Sequence, residues 1–181
     1  MDWVKLRNQI KQYRMIDPYK IYERFGLSYV SKSGYNLLMH YLRDAMTPDL
    51  DMVQYMVEHG CNVNQVSVDG KWTPLFSAIN KKAPPSVIRY LLEQQADANF
   101  KQTQNKSMIA EALSRQCNID TIESLLQYSD LNQIKTSDGL SKYSFLCIVG
   151  EREKKIAAFI RAGLIFDFFE DENICGCKKI N

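Results

Sequence analysis

Nucleophilic or metal-dependent chemistry has few residues to use in this 181-residue chain, which contains two histidines and five cysteines. His59 and Cys61 flank Gly60, and a thiol beside an imidazole is the arrangement that activates a cysteine nucleophile. No Gly-rich phosphate loop, no Ser, His and Asp order of a catalytic triad and no pair of carboxylates in an apolar frame accompanies them. The sequence therefore favours a non-catalytic protein over the alternative, an enzyme with Cys61 or Cys175 as its nucleophile.

Cys175 and Cys177 form the one closely spaced cysteine pair in the sequence. Thiolates bind zinc, but a structural zinc site normally has four ligands, with two residues between paired cysteines. The sequence signals no third or fourth ligand near this pair. We therefore expect neither a metal site nor a cofactor.

The composition disfavours several function classes. A hydrophobic share of 45 % in 181 residues is enough for a domain with its own core. The 23 Lys and Arg against 21 Asp and Glu leave a formal charge of +2, without the basic excess typical of nucleic-acid binding. No run approaches the roughly 20 apolar residues of a membrane-spanning helix, and the polar first residues do not resemble a signal peptide. The odd cysteine count fits reduced thiols. We expect a soluble protein of the cytoplasm, or of a host cell's cytosol, that binds neither nucleic acid nor membrane.

A repeated pattern gives the main information about the fold. Four segments have apolar residues three and four positions apart, which is the pattern of an amphipathic helix. They end 35, 33 and 35 residues apart, at Asn64, Asn99, Asn132 and Asp167. A shorter apolar run precedes each segment and predicts an inner helix; these runs begin at Tyr35, Thr73, Ser107 and Tyr143. A Gly- or Asn-containing pair before each inner run predicts a tight turn.

The repeating unit is thus a turn, a helix, a short loop and a second helix. We predict one domain over residues 1–181, with repeats at 29–64, 65–99, 100–132 and 133–167. Residues 1–28 are interpreted as an N-terminal cap or divergent repeat, and residues 168–181 as a C-terminal cap or tail, because terminal repeats must shield an apolar flank from water.

Two signatures recur at this period. Asp69-Gly70 followed by Thr73-Pro74-Leu75 resembles the D-G-x-T-P-L signature of the ankyrin-repeat family, and 96–99 and 60–64 resemble its G-A-D-V-N signature. The resemblance covers residues from about 29 to 167. It implies an all-α solenoid of about four helix–turn–helix repeats with finger-like β-turns, in which the closing asparagines bond the backbone of neighbouring turns. The sequence departs from the pattern by an extra residue between Gly70 and Thr73, which would make the second finger bulge, and by Phe76 in place of histidine.

The resemblance also implies a function in protein binding, through a concave face made by finger tips and inner helices. It implies no small-molecule substrate. Small stand-alone ankyrin-repeat proteins are similar to inhibitor or immunity proteins that mask a cognate toxin, which is the role we favour, because the chain ends soon after its last repeat. The alternative is a viral or bacterial effector-type protein that binds a host factor.

Candidate partner-binding residues are those expected to face the groove. We assign Lys32, Tyr35, His40, Arg43, Asp69, Lys71, Trp72, Lys101, Gln104, Lys106, Glu111 and Arg115. The lysines among them favour a partner with an acidic surface, although lysines on exposed turns also serve solubility. Trp72 is either an interface anchor or a residue that packs against Tyr35 or a neighbouring finger. His40 is either a pH-sensitive contact or a solvated or locally bonded side chain.

Overall fold

A computed structural model describes residues 26–45, 47–101, 107–130 and 152–163. This part of the chain contains seven α-helices and no strand, so the all-α prediction is confirmed. Its only β-type pairing is an isolated bridge between Val30 and Asn36. The helices are α1 Leu37–Asp44, α2 Leu50–Glu58, α3 Pro74–Asn80, α4 Pro85–Glu93, α5 Met108–Ser114, α6 Ile119–Tyr128 and α7 Arg152–Arg161.

The chain divides into two compact units, Met1–Ala98 (unit 1) and Asn99–Asn181 (unit 2). In unit 1, α1 and α3 pack together as the inner helices, α2 and α4 pack together as the outer helices, and each inner helix contacts its own outer helix. In unit 2, α6 packs against both α5 and α7. The first three inner and outer helix pairs therefore follow the predicted order.

Several predicted features lie outside the described residues. These are almost all of the N-terminal cap, the C-terminal tail, the third and fourth turns and the inner helix of the fourth repeat. The single domain and its repeat boundaries remain predictions.

Side-chain caps explain where most of these helices begin. Thr73 is the N-cap of α3, its hydroxyl accepts a hydrogen bond from the amide of Phe76 (3.1 Å), and Pro74 occupies the first turn. A proline is tolerated there because its missing N–H would have no partner within the helix. Asn36, Asp49, Ser107 and Asn118 cap four other helices in the same way. These capping residues thus fix the start of five of the seven described helices.

Left-handed residues end several helices. Gly60 (φ 100°) and Gly163 (φ 85°) follow outer helices, as the sequence predicts. Lys82, Gln95 and Gln116 adopt the same conformation with φ of 53°, 64° and 56°. A residue with a Cβ is strained there by about 1–2 kcal/mol, so the packing of the helix pairs, rather than local preference, imposes these turns.

The apolar faces of the helices form the core of each unit. In unit 1 the largest fully buried side chains are Leu37, Leu38, Met39, Leu42, Met56, Leu75, Phe76, Ile79, Ile88, Leu91 and Leu92. In unit 2, α5 and α6 bury Met108, Ile109, Leu113, Ile122, Leu125 and Leu126. Each methylene removed from water contributes about 0.8 kcal/mol, and these side chains therefore hold the helix pairs together.

Asparagines at the ends of the outer segments bond the backbone of the following turn. The Asn64 amide nitrogen donates to the carbonyl of Gln95 (2.8 Å), and its oxygen accepts from the amide of Asp97 (2.8 Å). In unit 2, the Asn99 oxygen accepts from the amide of Asp130 (2.7 Å). The predicted asparagine role is thus confirmed for both; Asn132 lies outside the described residues.

We expect Lys82→Gly to raise the free energy of unfolding by about 0.5–1 kcal/mol, because relief of left-handed strain exceeds the extra chain entropy of glycine. Thermal unfolding should show a midpoint a few degrees higher. Lys81→Gly is the matched control. Lys81 has φ of −90°, so this change should lower stability by a similar amount. A decrease in both variants would contradict the strain at Lys82.

Candidate functional site

Two fingers of unit 1 stand next to each other before α1 and α3. Finger 1 (residues 31–36) is closed by a hydrogen bond from the amide of Ser31 to the carbonyl of Tyr35 (2.8 Å). Finger 2 (residues 67–72) is closed by a bond from the amide of Ser67 to the carbonyl of Trp72 (3.0 Å). The amide of Val68 donates to the carbonyl of Ser33 (2.9 Å), which fixes one finger against the other.

Gly34 makes this close approach possible. Its φ is 80°, and a Cβ at this position would lie 2.8 Å from the Val68 nitrogen. A glycine is therefore required both for the backbone conformation and for the spacing of the fingers.

The hydroxyl of Ser67 holds finger 2 in shape. It accepts hydrogen bonds from the amides of Trp72 (3.0 Å) and Lys71 (3.3 Å) and donates to a carboxylate oxygen of Asp69. Ser67 is buried, whereas Asp69 and Lys71 are exposed. The extra residue in this finger is thus accommodated in a loop that closes around one hydroxyl group. Sequence reasoning missed Ser67; the available signal was a serine two residues before Asp69-Gly70, where its hydroxyl can bond the turn backbone.

Hydrogen bonding lowers the pKa of Asp69. The main cause is the hydrogen bond from the Ser67 hydroxyl, and the amide and charge of Lys71 act in the same direction. Both groups favour the ionised carboxylate. Finger 2 therefore presents a fixed negative charge and the Lys71 side chain to solvent.

Arg43 connects the two fingers to α1. Its guanidinium carbon lies 4.7 Å from the centroid of the Tyr35 ring and 4.8 Å from the centroid of the Trp72 ring. Tyr35 belongs to finger 1, Trp72 to finger 2, and all three side chains are half-buried. A guanidinium over an aromatic face is held by the ring quadrupole, at about 0.5–1 kcal/mol for each exposed contact. We call Tyr35, Arg43 and Trp72 the stacked triad.

Two further rings, those of Phe76 and His40, contact the aromatic residues of the stacked triad. The Trp72 ring meets the ring of the buried Phe76 edge-on, at a centroid distance of 5.4 Å. The Tyr35 ring lies 5.2 Å from that of His40. Burial raises the pKa of Tyr35 above its usual value, and the charge of Arg43 acts against this increase. Trp72 thus packs onto Phe76 and Arg43 and is half-buried. Its role as an interface anchor stays a prediction.

The other candidates occupy different environments. Lys32 is exposed on finger 1, and His40 is buried at 5 % exposure rather than solvated. In unit 2, Lys101 is half-buried, and Glu111 is buried and accepts a hydrogen bond from the exposed Arg115 (2.8 Å). Gln104 and Lys106 lie outside the described residues. The structure therefore brings together the candidates of the two unit 1 fingers, and separately the pair in unit 2.

The possible cysteine nucleophile has a different environment from a catalytic thiol. Cys61 is buried, its Sγ donates to the carbonyl of Leu27 (3.4 Å), and burial raises the pKa of its thiol to about 11. The Nδ1 of His59 instead lies 2.8 Å from the carbonyl oxygen of Tyr55, and the centroids of the His59 and Tyr55 rings are 4.0 Å apart, with the ring planes tilted by 31°. The thiol is thus held protonated and the imidazole is engaged elsewhere.

Neither a metal site of three or more ligands nor a membrane-spanning helix is found in the described ranges. Within them, no three His, Cys, Asp or Glu residues are grouped so that they could hold a metal ion. Cys175 and Cys177 lie outside these ranges. Among the helices that the structure describes, none has the length and apolar character needed to cross a membrane.

Comparison with known families agrees with the helix pairs and fingers. A family model described as ankyrin repeats (3 copies) matches residues 38–138, which is more than half of the chain. The chain belongs to the ankyrin-repeat family. No curated protein matches it. In ankyrin-repeat terms, α1, α3 and α5 are inner helices, and the stacked triad lies where two fingers meet the inner helices.

We expect Ser67→Ala to loosen finger 2 and lower the free energy of unfolding by about 1–3 kcal/mol, because two amides and a carboxylate lose a partner. By NMR titration, the pKa of Asp69 should rise towards its usual value. In the wild type, its contribution to stability is present above the unfolded pKa and is lost as the pH falls through the lower folded pKa. Ser86→Ala, an exposed position on α4, is the control and should change neither quantity. An unchanged Asp69 pKa in Ser67→Ala would disprove this role.

We expect Cys61 to react very slowly with iodoacetamide in the native protein. With a pKa of about 11, its thiolate fraction at pH 8 is about one in a thousand, before burial is considered. Mass spectrometry of alkylated peptides should show fast labelling only after denaturation. Because folding raises this pKa, the thiol's contribution to stability is present below its unfolded pKa and is lost as the pH rises towards 11. Rapid native labelling of Cys61 would reopen the possibility of thiol chemistry.

Proposed function

We propose that this ankyrin-repeat chain is a non-catalytic module that binds a protein partner through the fingers and inner helices. The stacked triad is the observation that carries the proposal. It orders an arginine and two aromatic rings at a partly accessible surface, and Arg, Trp and Tyr are the residue types that dominate binding energy at protein interfaces.

Preorganisation supports binding at this surface. Finger 2 is fixed by Ser67, finger 1 is fixed by its bond to Val68, and Trp72 rests on Phe76. Side chains that are already ordered lose less conformational entropy when a partner binds. The contact set that we propose includes the unit 1 candidates Lys32, Tyr35, His40, Arg43, Asp69, Lys71 and Trp72, and the unit 2 candidates Lys101, Gln104, Lys106, Glu111 and Arg115.

The environments of the thiol and imidazole support a function other than catalysis. Cys61 is buried with a raised pKa, and His59 bonds to the backbone of its own helix. Cys61 and Cys117 are both buried and outside any disulfide, which is consistent with our placing the protein in the reducing cytoplasm.

The role that we propose for the bound state is inhibition of a cognate toxin. Binding a host factor as an effector-type protein is the second candidate considered. Both roles require a partner on the same surface, so they are distinguished by the activity of the partner rather than by the binding residues.

We expect the double variant Lys71→Glu, Trp72→Ala to bind its partner at least tenfold more weakly than the wild type, because it removes an anchor ring and reverses a finger charge. The partner would be isolated by affinity capture from source cells and then measured in purified form by calorimetry. Arg89→Glu, an exposed charge reversal on the outer helix α4, is the matched control and should bind as the wild type does.

Each result has a defined meaning. Equal binding by the double variant would show that the fingers of unit 1 are not the binding surface. A partner that is toxic when expressed alone, and harmless when co-expressed with this chain, would support the inhibitor role. A partner without toxicity would favour the host-factor role instead.

A further inference from the structure

We propose that Arg43 is a receptor for a carboxylate, and that the partner presents a short acidic segment to it, with an apolar side chain next to the acidic residue. This inference rests on the proposed function and specifies the chemistry of the partner at the same surface.

Arg43 differs from Arg115 and Arg161 in what it contacts. Arg115 is paired with Glu111, and Arg161 is paired with Glu123. Arg43 is stacked with the rings of Tyr35 and Trp72, and no carboxylate in the described part of the chain forms an ion pair with it. Its charge is therefore ordered by aromatic contacts, and no acidic group among the described residues of unit 1 forms an ion pair with it.

The geometry of a guanidinium allows stacking and anion binding at the same time. Ring contacts use its faces, whereas its five N–H donors lie in its plane and match the two oxygens of a carboxylate. One of these donors interacts with the Tyr35 hydroxyl. The side chain is half-buried, so part of it is accessible to a ligand. Because the rings already restrict the side chain, a bound carboxylate would lose little of its binding energy to ordering Arg43.

The charges of the two fingers also favour an anion. Lys32 and Lys71 are both exposed, and Asp69 is the only carboxylate in residues 31–36 and 67–72. An oxygen of Asp69 is engaged by the Ser67 hydroxyl and the Lys71 amide within its own finger. The two fingers thus carry two lysines against one carboxylate, and Arg43 adds a third positive charge beside them. An excess of positive charge attracts an acidic segment during encounter.

Exposed valines provide the apolar part of the surface. The Val68 side chain is 78 % exposed at the tip of finger 2, although its backbone is fixed by the bond to Ser33. Val66 is 41 % exposed, and the buried Ser67 lies between Val66 and Val68 in the sequence. A fixed, exposed valine beside Lys71 fits an apolar side chain that neighbours the partner's carboxylate. The chemistry is that of a protein segment rather than of a free anion.

A displayed library of random twelve-residue peptides tests this inference on the full chain. We expect the enriched peptides to carry Asp or Glu next to an aliphatic or aromatic residue. Arg43→Gln should weaken the binding of the best peptide at least tenfold, and Arg43→Lys should weaken it less, because a lysine keeps the charge but loses the planar donors. Arg89→Gln is the matched control, since Arg89 is exposed on α4 and contacts no ring among the described residues.

Circular dichroism and thermal unfolding would be recorded for every variant. Lys71→Glu serves as a second variant, because it lies on an exposed finger tip and reverses a charge without removing a stacked side chain. It should weaken the binding of the acidic peptide several-fold, and the loss of affinity should be larger at low salt. Equal binding by both Arg43→Gln and Lys71→Glu would overturn the inference.

Failure of this inference differs from failure of the proposed function. Peptides without acidic residues that lose binding in Trp72→Ala but not in Arg43→Gln would overturn the carboxylate receptor and leave the binding surface in place. Peptides whose binding is unaffected by Trp72→Ala, Arg43→Gln and Lys71→Glu would contradict both the carboxylate receptor and the proposed binding surface. An absence of enriched peptides would show that a short acidic segment is not the ligand. Tighter binding of the best peptide after its acidic residue is replaced by phosphoserine would reassign the site to a phosphate group.

Discussion

Hydrogen bonds from one repeat to the backbone of the next set the spacing of the described repeats of unit 1. Asn64 binds both a carbonyl and an amide of the turn after α4, and the amide of Val68 binds the carbonyl of Ser33. Such bonds satisfy backbone groups of loops that have no strand partner. They also decide which side chains can meet, because Tyr35 and Trp72 reach the same guanidinium only when the two fingers lie at this distance. The accessible surface is therefore a product of backbone bonding between repeats.

The departure from the ankyrin signature at Phe76 has a structural explanation. The residue is buried in the inner helix α3, and its ring supports the edge of Trp72. A histidine there would bring two ring nitrogens that need polar partners in this apolar environment. With phenylalanine, the core continues outward to the half-buried ring of Trp72. The repeat thus has the helices of the ankyrin pattern, and it differs from the pattern at a buried residue directly beneath Trp72.

Much of the framework was predictable from local patterns, whereas the contacts of the site were not. The repeat period, the inner and outer helices and the start of α3 at Thr73-Pro74 follow from periodicity and capping. The left-handed turns at Lys82 and Gln95 could not be predicted from the sequence, because neither position is a glycine and tertiary packing imposes the conformation. The stacking of Arg43 on Trp72 joins residues of different repeats, and the burial of His40 depends on how α1 packs. A sequence pattern gives the face of a helix, but it does not give the neighbour of a single side chain.

The fingers contain positions that do not tolerate substitution, Gly34 and Ser67, and exposed positions that do. Gly34 has no room for a Cβ, and Ser67 is bonded through its hydroxyl to three groups of its own loop. Lys32, Val68 and Lys71 are exposed finger residues, and the backbone bonds that close the two fingers join Ser31 to Tyr35 and Ser67 to Trp72. Residues at these three places can be exchanged while the loops keep their shape. If the fingers bind a partner as proposed, its preference can be changed by surface substitutions alone, with the folding of the repeat left intact.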